Sequence, residues 1–389
     1  MTPAARINAA IELMDRVCAG ELASRALADW GRVNRYAGSK DRAAISDLVY
    51  EVLRKKKSFE AYGGGKTGRA LLLGYLRSNG QEPDSIFGSD KYAPPQLTDE
   101  EHQRAQNALN RLDEFHDFPE WLWPDLVRSH GGNALAIAKA LRDRAPVHLR
   151  VNLRKITRDD AIGALAKEGI TTEALSVSPT ALNVVEGARR VRNSESYLNG
   201  LVELQDASSQ AVADSAPLSH GQTFLDFCAG AGGKVLAVAG RASGDFYAYE
   251  ANPRRMKDLP SRAHRAGVNI ELVQTKDQLG FQQFDTVMLD APCSGSGSWR
   301  RDPQGKWLLT AEKLDHILSI QRDILKEAVS FVRPKGHLVY ATCSLINREN
   351  AFQTRAFVSE NEGFEIVNES HFTPLSGSDG FYCCVLKRN

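Results

Sequence analysis

Phe284-Asp-Thr-Val-Met-Leu-Asp-Ala-Pro-Cys-Ser-Gly-Ser-Gly297 decides the fold. Thr286 to Leu289 is a short apolar run with a charge before it and Pro and Gly after it, the pattern of a strand buried on both faces of a parallel sheet. The run ends on Asp290 and Cys293 follows closely, so an acid and a thiol stand just past the carboxyl end of a strand. Open α/β sheets bind ligands along that edge. The Gly and Ser residues beyond it suit a loop lying close against a ligand.

The flanking sequence repeats the arrangement. Thr223–Asp226 reads as a strand, and Phe227-Cys-Ala-Gly-Ala-Gly-Gly-Lys234 as a glycine-rich turn into a helix over 235–239. Phe246–Tyr249 is a second strand. It ends on Glu250, about 20 residues past the turn, where an acid can bind both hydroxyls of a ribose. A helix over 254–266, a strand over 270–273 and a loop with Asp277 follow. Next come the opening strand, a helix over 310–332, and a strand over 337–341 leading into Thr342-Cys343-Ser344. This β-α alternation predicts an α/β, Rossmann-like domain with a doubly wound, mostly parallel sheet. The turn lacks G-x-G-x-x-G spacing and shows no grip for a pyrophosphate. That favours a cofactor with one nucleoside over a nicotinamide dinucleotide.

A chain of 389 residues predicts two or three domains. No apolar run reaches the roughly 18 residues that span a bilayer, and Met-Thr-Pro-Ala-Ala-Arg lacks a signal peptide's apolar centre; a cytoplasmic protein without membrane association is expected. Six cysteines without a C-x-x-C pair argue against a disulfide framework or zinc site, and the scattered histidines against any metal. A net charge of +1 gives no global signal for nucleic acid. Arg54–Lys57, Arg189-Arg190 and Arg300-Arg301 are local clusters that either face phosphate or are solvated surface.

Residues 5 to about 115 read as a helical bundle. Ile7, Ala10, Ile11, Met14 and Val17 recur at helix spacing, as do Ile45, Leu48, Val49, Val52 and Leu53, with Ser39 as an N-cap. Trp121 and Trp123, beside prolines, open a helix or anchor a junction. A strand alternates over 147–153, with a helix over 157–169 and extended stretches at 182–185 and 201–204, giving a small α+β module. Its Arg150, Asn152 and Arg154 face either a polyanion or solvent.

Cys293 and Cys343 each follow a strand at the same sheet edge. If those strands are neighbours, about 4.8 Å apart, both thiols face one pocket. Two thiols beside a nucleoside pocket suit methylation at carbon 5 of a pyrimidine. Thiolate addition at carbon 6 makes carbon 5 nucleophilic toward a sulfonium methyl group, and a base then removes the carbon 5 proton. Asp290 can hydrogen-bond the cytosine edge at N3 and the amino group. A deep pocket needs an unstacked base, as in single-stranded or looped RNA.

Asp226–Lys234, Asp290–Gly297 with Arg300-Arg301, and Tyr340–Leu345 with Glu349-Asn350 resemble the RsmB (Fmu/Sun) family of S-adenosylmethionine-dependent RNA cytosine-5 methyltransferases. The resemblance implies an all-α NusB-like RNA-binding domain at 1–115, a small α+β (RRM-like) linker at 116–204 and a methyltransferase domain at 205–389. It implies a catalytic set of Cys343 as nucleophile, Cys293 assisting release, Asp290 and Lys234. The cofactor would be lined by Cys228, Ala229, Gly230, Ala231, Gly232, Gly233, Lys234, Glu250, Asp277 and Asp290. The implied partner is 16S rRNA or a 30S assembly intermediate, met by a monomer. The family's turn usually reads Ala-Pro-Gly-Gly-Lys-Thr; Gly230-Ala231 and Val235 here predict a looser turn with weaker cofactor affinity. Glu250 stands where Asp is commoner, and Asn347-Arg348 where Pro-Glu is. Two rivals remain: Cys293 as the nucleophile, and a non-catalytic RNA-binding assembly factor with a vestigial cofactor pocket.

Overall fold

The computed structural model describes residues 1–108 and 115–389, so the expected helical stretch at 109–114 lies outside the described residues. The chain divides into two compact units, Met1–Trp123 with Gly132–Arg144 and Trp299–Leu308, and the remainder.

The first unit is helical: α1 (Pro3–Cys18), α2 (Ala23–Val33), α3 (Ser39–Arg54), α4 (Lys56–Gly63), α5 (Gly68–Ser78), α6 (Asp99–Ala108) and, after α7 (Trp123–His130), α8 (Ala134–Ala140). Thr2 caps α1 by accepting from the Ala5 N–H, and Pro3 supplies a first turn that needs no donor. The apolar stripes of α1, α3 and α5 meet through Leu13, Met14, Ile45, Val49, Leu71 and Leu72, all buried. Ser39 is not the N-cap of α3 but its first helical residue; Gly38 takes the cap position without a side-chain bond. The segment Trp299–Leu308 packs into this unit. Trp307 Nε1 donates to the Leu53 carbonyl at 2.7 Å, and Gln304 accepts from the Ala23 N–H at 2.8 Å. Arg54, from the basic cluster, donates to the Arg300 carbonyl at 3.2 Å, and Lys55 pairs with Glu51 at 2.7 Å.

The second unit holds two sheets. In the smaller, β1 (Val147–Val151), β2 (Thr171–Ala174), β3 (Ala181–Glu186) and β4 (Val202–Leu204) run antiparallel in the order β2-β3-β1-β4. Helix α9 (Arg158–Lys167) covers one face, with Leu149, Val151, Leu165 and Leu182 in the core, and α10 (Glu195–Leu198) precedes β4. Glu173 of β2 and Val185 of β3 stand exposed on the opposite face, but its β1 part is neither solvated nor open to a polyanion, as the alternation had suggested. It lies against α11 (Ala207–Asp214) and the glycine turn. Arg150 is buried and donates to Gln205 and, at 2.8 Å, to the Gly233 carbonyl; Asn152 donates to the Gly200 and Ala266 carbonyls.

The larger sheet contains β5 (Gln222–Asp226), β6 (Gly244–Tyr249), β7 (Glu271–Val273), β8 (Phe284–Asp290), β9 (Val332–Thr342), β10 (Phe364–Phe372) and β11 (Phe381–Arg388). Its order is β10-β11-β9-β8-β5-β6-β7, parallel except for the two pairs made by β11. Helices α12 (Gly233–Ala239) and α13 (Leu259–Ala266), with α11, pack on one face; α15 (Ala311–Ala328) and α16 (Ala351–Glu360), beyond the short α14 (Gly305–Leu308), belong to the other. Successive strand residues alternate between the two cores: Phe224 and Leu225, Met288 and Leu289, Cys383 and Cys384. This separates the adjacent cysteines and buries both, pushing Cys383 up to about 12 and Cys384 to about 11.

The expected helix over 310–332 stops at Ala328, passes through a 3-10 turn, and gives way to β9 at Val332. Pro334 can neither donate within a helix nor tolerate a helical residue before it. The strand order reverses at β5, with β6 and β7 on one side and β8 and β9 on the other. Ligand sites form at such a switch point, past the carboxyl ends of the strands.

Candidate active site

Every residue singled out for chemistry in the sequence lies past a carboxyl end of β5 to β9. Cys228 to Lys234 follow β5, Glu250 follows β6, Asp277 follows β7, Asp290 ends β8 with Cys293 beyond it, and Cys343 follows β9. β8 and β9 are parallel neighbours with Asp290 opposite Ala341. The two thiols therefore meet, Sγ to Sγ, at 3.4 Å.

Cys293 sits beside the buried Glu349. The Cys293 thiol is pushed well above its ordinary value, first by its hydrogen bond to Cys343 and then by burial and Glu349. Lys234 is 5 % exposed and its Nζ lies 2.7 Å from Asp290 Oδ2 and 5.1 Å from the Phe381 ring centre. Burial works to lower its pKa, yet Asp290 and then Cys343 leave it raised.

The glycine turn is held by hydrogen bonds along its length. Ala229 N–H donates to the Tyr249 carbonyl at 3.0 Å, Gly232 N–H to Ala229 at 2.7 Å and Gly230 N–H to Glu250 Oε2 at 2.9 Å; Arg262 donates to the Ala231 carbonyl. Gly230 at φ +53° and Gly232 at φ +80° occupy left-handed backbone that favours glycine. Glu250, with its extra methylene, folds back to pair with Arg255 at 2.9 Å and to accept from the Asn252 N–H at 3.1 Å. Cys228 is held well above its ordinary value by burial and by Asp226, Asp290 and Glu250, and so stays a thiol. Asp277 stands exposed farther along the edge, in the turn Lys276–Gln278 capped by Thr275.

Family models match at two places: a 16S rRNA methyltransferase RsmB/F model over residues 216–381, and an RsmF/B-like ferredoxin-like domain over residues 118–191. The ribosomal RNA small subunit methyltransferase B of Enterobacter sp. is 32% identical, covering 82% of each chain. The chain belongs to the RsmB family. Its counterpart in Vibrio cholerae is 28% identical over 90% of both chains. Among solved structures, PH0851 aligns with 100% of this chain and 99% of its own at a TM-score of 0.75 and 20% identity. NSun6 from Pyrococcus horikoshii, solved with SFG, covers 70% of this chain and 98% of its own at 0.62 and 19%. At those identities the likeness is one of fold. RsmB-family proteins are S-adenosylmethionine-dependent rRNA methyltransferases.

The edge fits that donor. Asp226 Oδ1 is buried at the end of β5 without a hydrogen-bond partner among the described residues, a polar atom that a ligand would satisfy. Burial, then the charge of Asp290, pushes Asp226 up to about 7, against the pull of Lys234 and the N–H groups of Val235 and Cys228. A side chain at Gly232 would push the turn off α13, since its Cβ would lie 2.2 Å from Leu259 Cδ1.

Three features escaped the sequence reading. Asp226 carries the same signal as Asp290, an acid ending a buried strand, and could have been found that way. Glu349 was visible only as part of a motif. The Arg150–Gln205 clamp on Gly233 joins residues far apart in sequence and left no local signal.

Proposed function

We propose that this chain methylates carbon 5 of a cytosine in 16S rRNA, with Cys343 as nucleophile and Cys293 assisting release. The thiol pair at 3.4 Å, at the ends of adjacent parallel strands, carries the reading. The Cys343 thiolate forms a bond to carbon 6, and the ring's electron pair shifts to carbon 5. S-adenosylmethionine, when bound, supplies a methyl group on a sulfonium. Loss of the carbon 5 proton to a base then restores the double bond and expels the Cys343 sulfur. Cys293, kept as a thiol, hydrogen-bonds that departing sulfur. Asp290, paired to Lys234, accepts from the amino group of the base, and from N3 once addition at carbon 6 has made N3 basic enough to carry a proton. Cys228 to Lys234, Glu250, Asp277 and Asp290 line the donor in this reading, and the orphaned Asp226 Oδ1 completes the set.

The same reading assigns RNA binding to residues 1–115 and 116–204 and catalysis to 205–389, on 16S rRNA or a 30S assembly intermediate. The ferredoxin-like match over residues 118–191 supports a separate domain at 116–204. The test is methyl transfer from labelled S-adenosylmethionine to 16S RNA, free and in 30S subunits, with mapping of 5-methylcytosine. Cys343→Ala should abolish transfer, and Cys293→Ala should accumulate a covalent RNA adduct on denaturing gels. An adduct trapped by Cys343→Ala would instead make Cys293 the nucleophile. Neither transfer nor cofactor binding would favour the non-catalytic assembly factor with a vestigial pocket, whereas cofactor binding without transfer would point to a different RNA substrate.

A further inference from the structure

Glu349 is a fully buried carboxylate that the mechanism above does not use. Both of its oxygens are occupied by residues that adjoin the two cysteines. Oε1 accepts from the Ser294 N–H at 2.7 Å and from Gln321 Nε2 at 3.3 Å; Oε2 accepts from the Ser294 hydroxyl at 2.5 Å and from the Ser344 hydroxyl. Ser294 follows Cys293 directly, and Ser344 follows Cys343 directly. Gln321 extends the same knot to the other side of Cys293, donating to the Pro292 carbonyl at 2.9 Å. The backbone of Glu349 is itself fixed, since its carbonyl accepts from the Tyr340 hydroxyl at 2.7 Å.

A carboxylate offers about four acceptor positions, and here four donors fill them. Glu349 therefore has no lone pair left for substrate or for the carbon 5 proton, which excludes it as the general base. What it has is one rigid body joined to both thiol-bearing loops, which leave separate strands.

We infer that Glu349 is the positioning residue that sets the two active-site thiols against each other, by holding Ser294 and Ser344 on a single buried carboxylate. The inference rests on the two-cysteine reading. Its consequence falls on the chemical step, because bound RNA and cofactor contact other groups. A misplacement of about 1 Å in a reacting group can cost about a hundredfold in rate.

The experiment compares Glu349→Gln, Glu349→Asp and Glu349→Ala in the full chain, with Cys343→Ala in parallel. Methyl transfer to 16S RNA, cofactor affinity and thermal unfolding are measured for each. Glutamine keeps the shape, and both serine hydroxyls can turn to accept from its amide, so kcat should stay within about fivefold of the parent. Aspartate, shorter by one methylene, should lower kcat about tenfold, and alanine about a hundredfold. In all three, KM for RNA and cofactor affinity should stay within about twofold. Should alanine fail to fold, the Gln and Asp pair decides. Parental kcat in Glu349→Asp would overturn the inference, as would a Gln variant as impaired as Asp. If Cys343→Ala turns over normally, the cysteine reading fails by itself; if only the Glu349 variants behave like the parent, the positioning role alone fails.

Discussion

Two glycines of the same turn should respond very differently to alanine. Gly232 caps α12 at φ +80°, and a Cβ there would lie 2.2 Å from Leu259 Cδ1 and 3.0 Å from its Cγ and Cδ2. Leu259 is fully buried in α13 and has no room to yield. Left-handed backbone costs alanine about 1–2 kcal/mol, and overpacking a filled core adds about 1–3 kcal/mol. Gly232→Ala should therefore destabilise by about 2–5 kcal/mol. Gly230 at φ +53° carries the same backbone penalty, but its Cβ would meet Arg255 Nη2 at 3.2 Å. That side chain is 62% exposed and can swing away. Gly230→Ala should cost only about 1–2 kcal/mol. The difference of about 2 kcal/mol corresponds to a Tm gap of about 4–8 °C in a unit of this size. Calorimetry measures that gap, and S-adenosylmethionine titration should show Gly232→Ala binding about tenfold more weakly than Gly230→Ala. Equal losses, or a larger one at Gly230, would refute the packing of the turn against Leu259.

Two further tests address buried cations. Lys306 is 2 % exposed in the helical unit, donating to the Arg54 carbonyl at 3.0 Å, and burial draws it down to about 7. The unfolded chain holds that proton up to about 10.5, so folding releases it between roughly pH 7 and 10.5 and stability rises with pH across that window. Lys306→Met should stabilise by about 1–4 kcal/mol at pH 7 and by less near pH 10; a gain independent of pH in thermal unfolding would contradict the burial penalty. Arg150→Met removes the donor that holds the Gly233 carbonyl, so cofactor affinity should fall about three- to tenfold with little change in Tm. Unchanged affinity in calorimetric titration would reduce the clamp to packing alone.

Much of the catalytic half was legible because its signals are local. Thr223–Asp226 and Phe246–Tyr249 are apolar runs ended by acids, and each appears within a residue or two of its expected bounds. Pro334, also visible in the sequence, could have placed the end of α15 before Val332. The final hairpin of β10 and β11 was not anticipated. Its first strand is largely exposed, with Glu365, Asn368 and Glu369 breaking up the apolar residues, and its pairing depends on β9, which lies far back in the chain.

The sequence by itself determined the strand-turn-helix repeats, the acids and thiols at strand ends, and the family to which the chain belongs. Hydrophobic period, glycine spacing and motif are properties of short windows, and these windows are unambiguous. Only the tertiary structure decided that β8 and β9 are adjacent with Asp290 opposite Ala341, which brings the thiols to 3.4 Å. It alone turned Arg150 from a strand-face cation into a clamp on Gly233, and made Glu349 the common acceptor of Ser294 and Ser344. The physical reason is the same in each case. A buried polar group must find a partner, and which partner it finds is fixed by the register of elements distant in sequence.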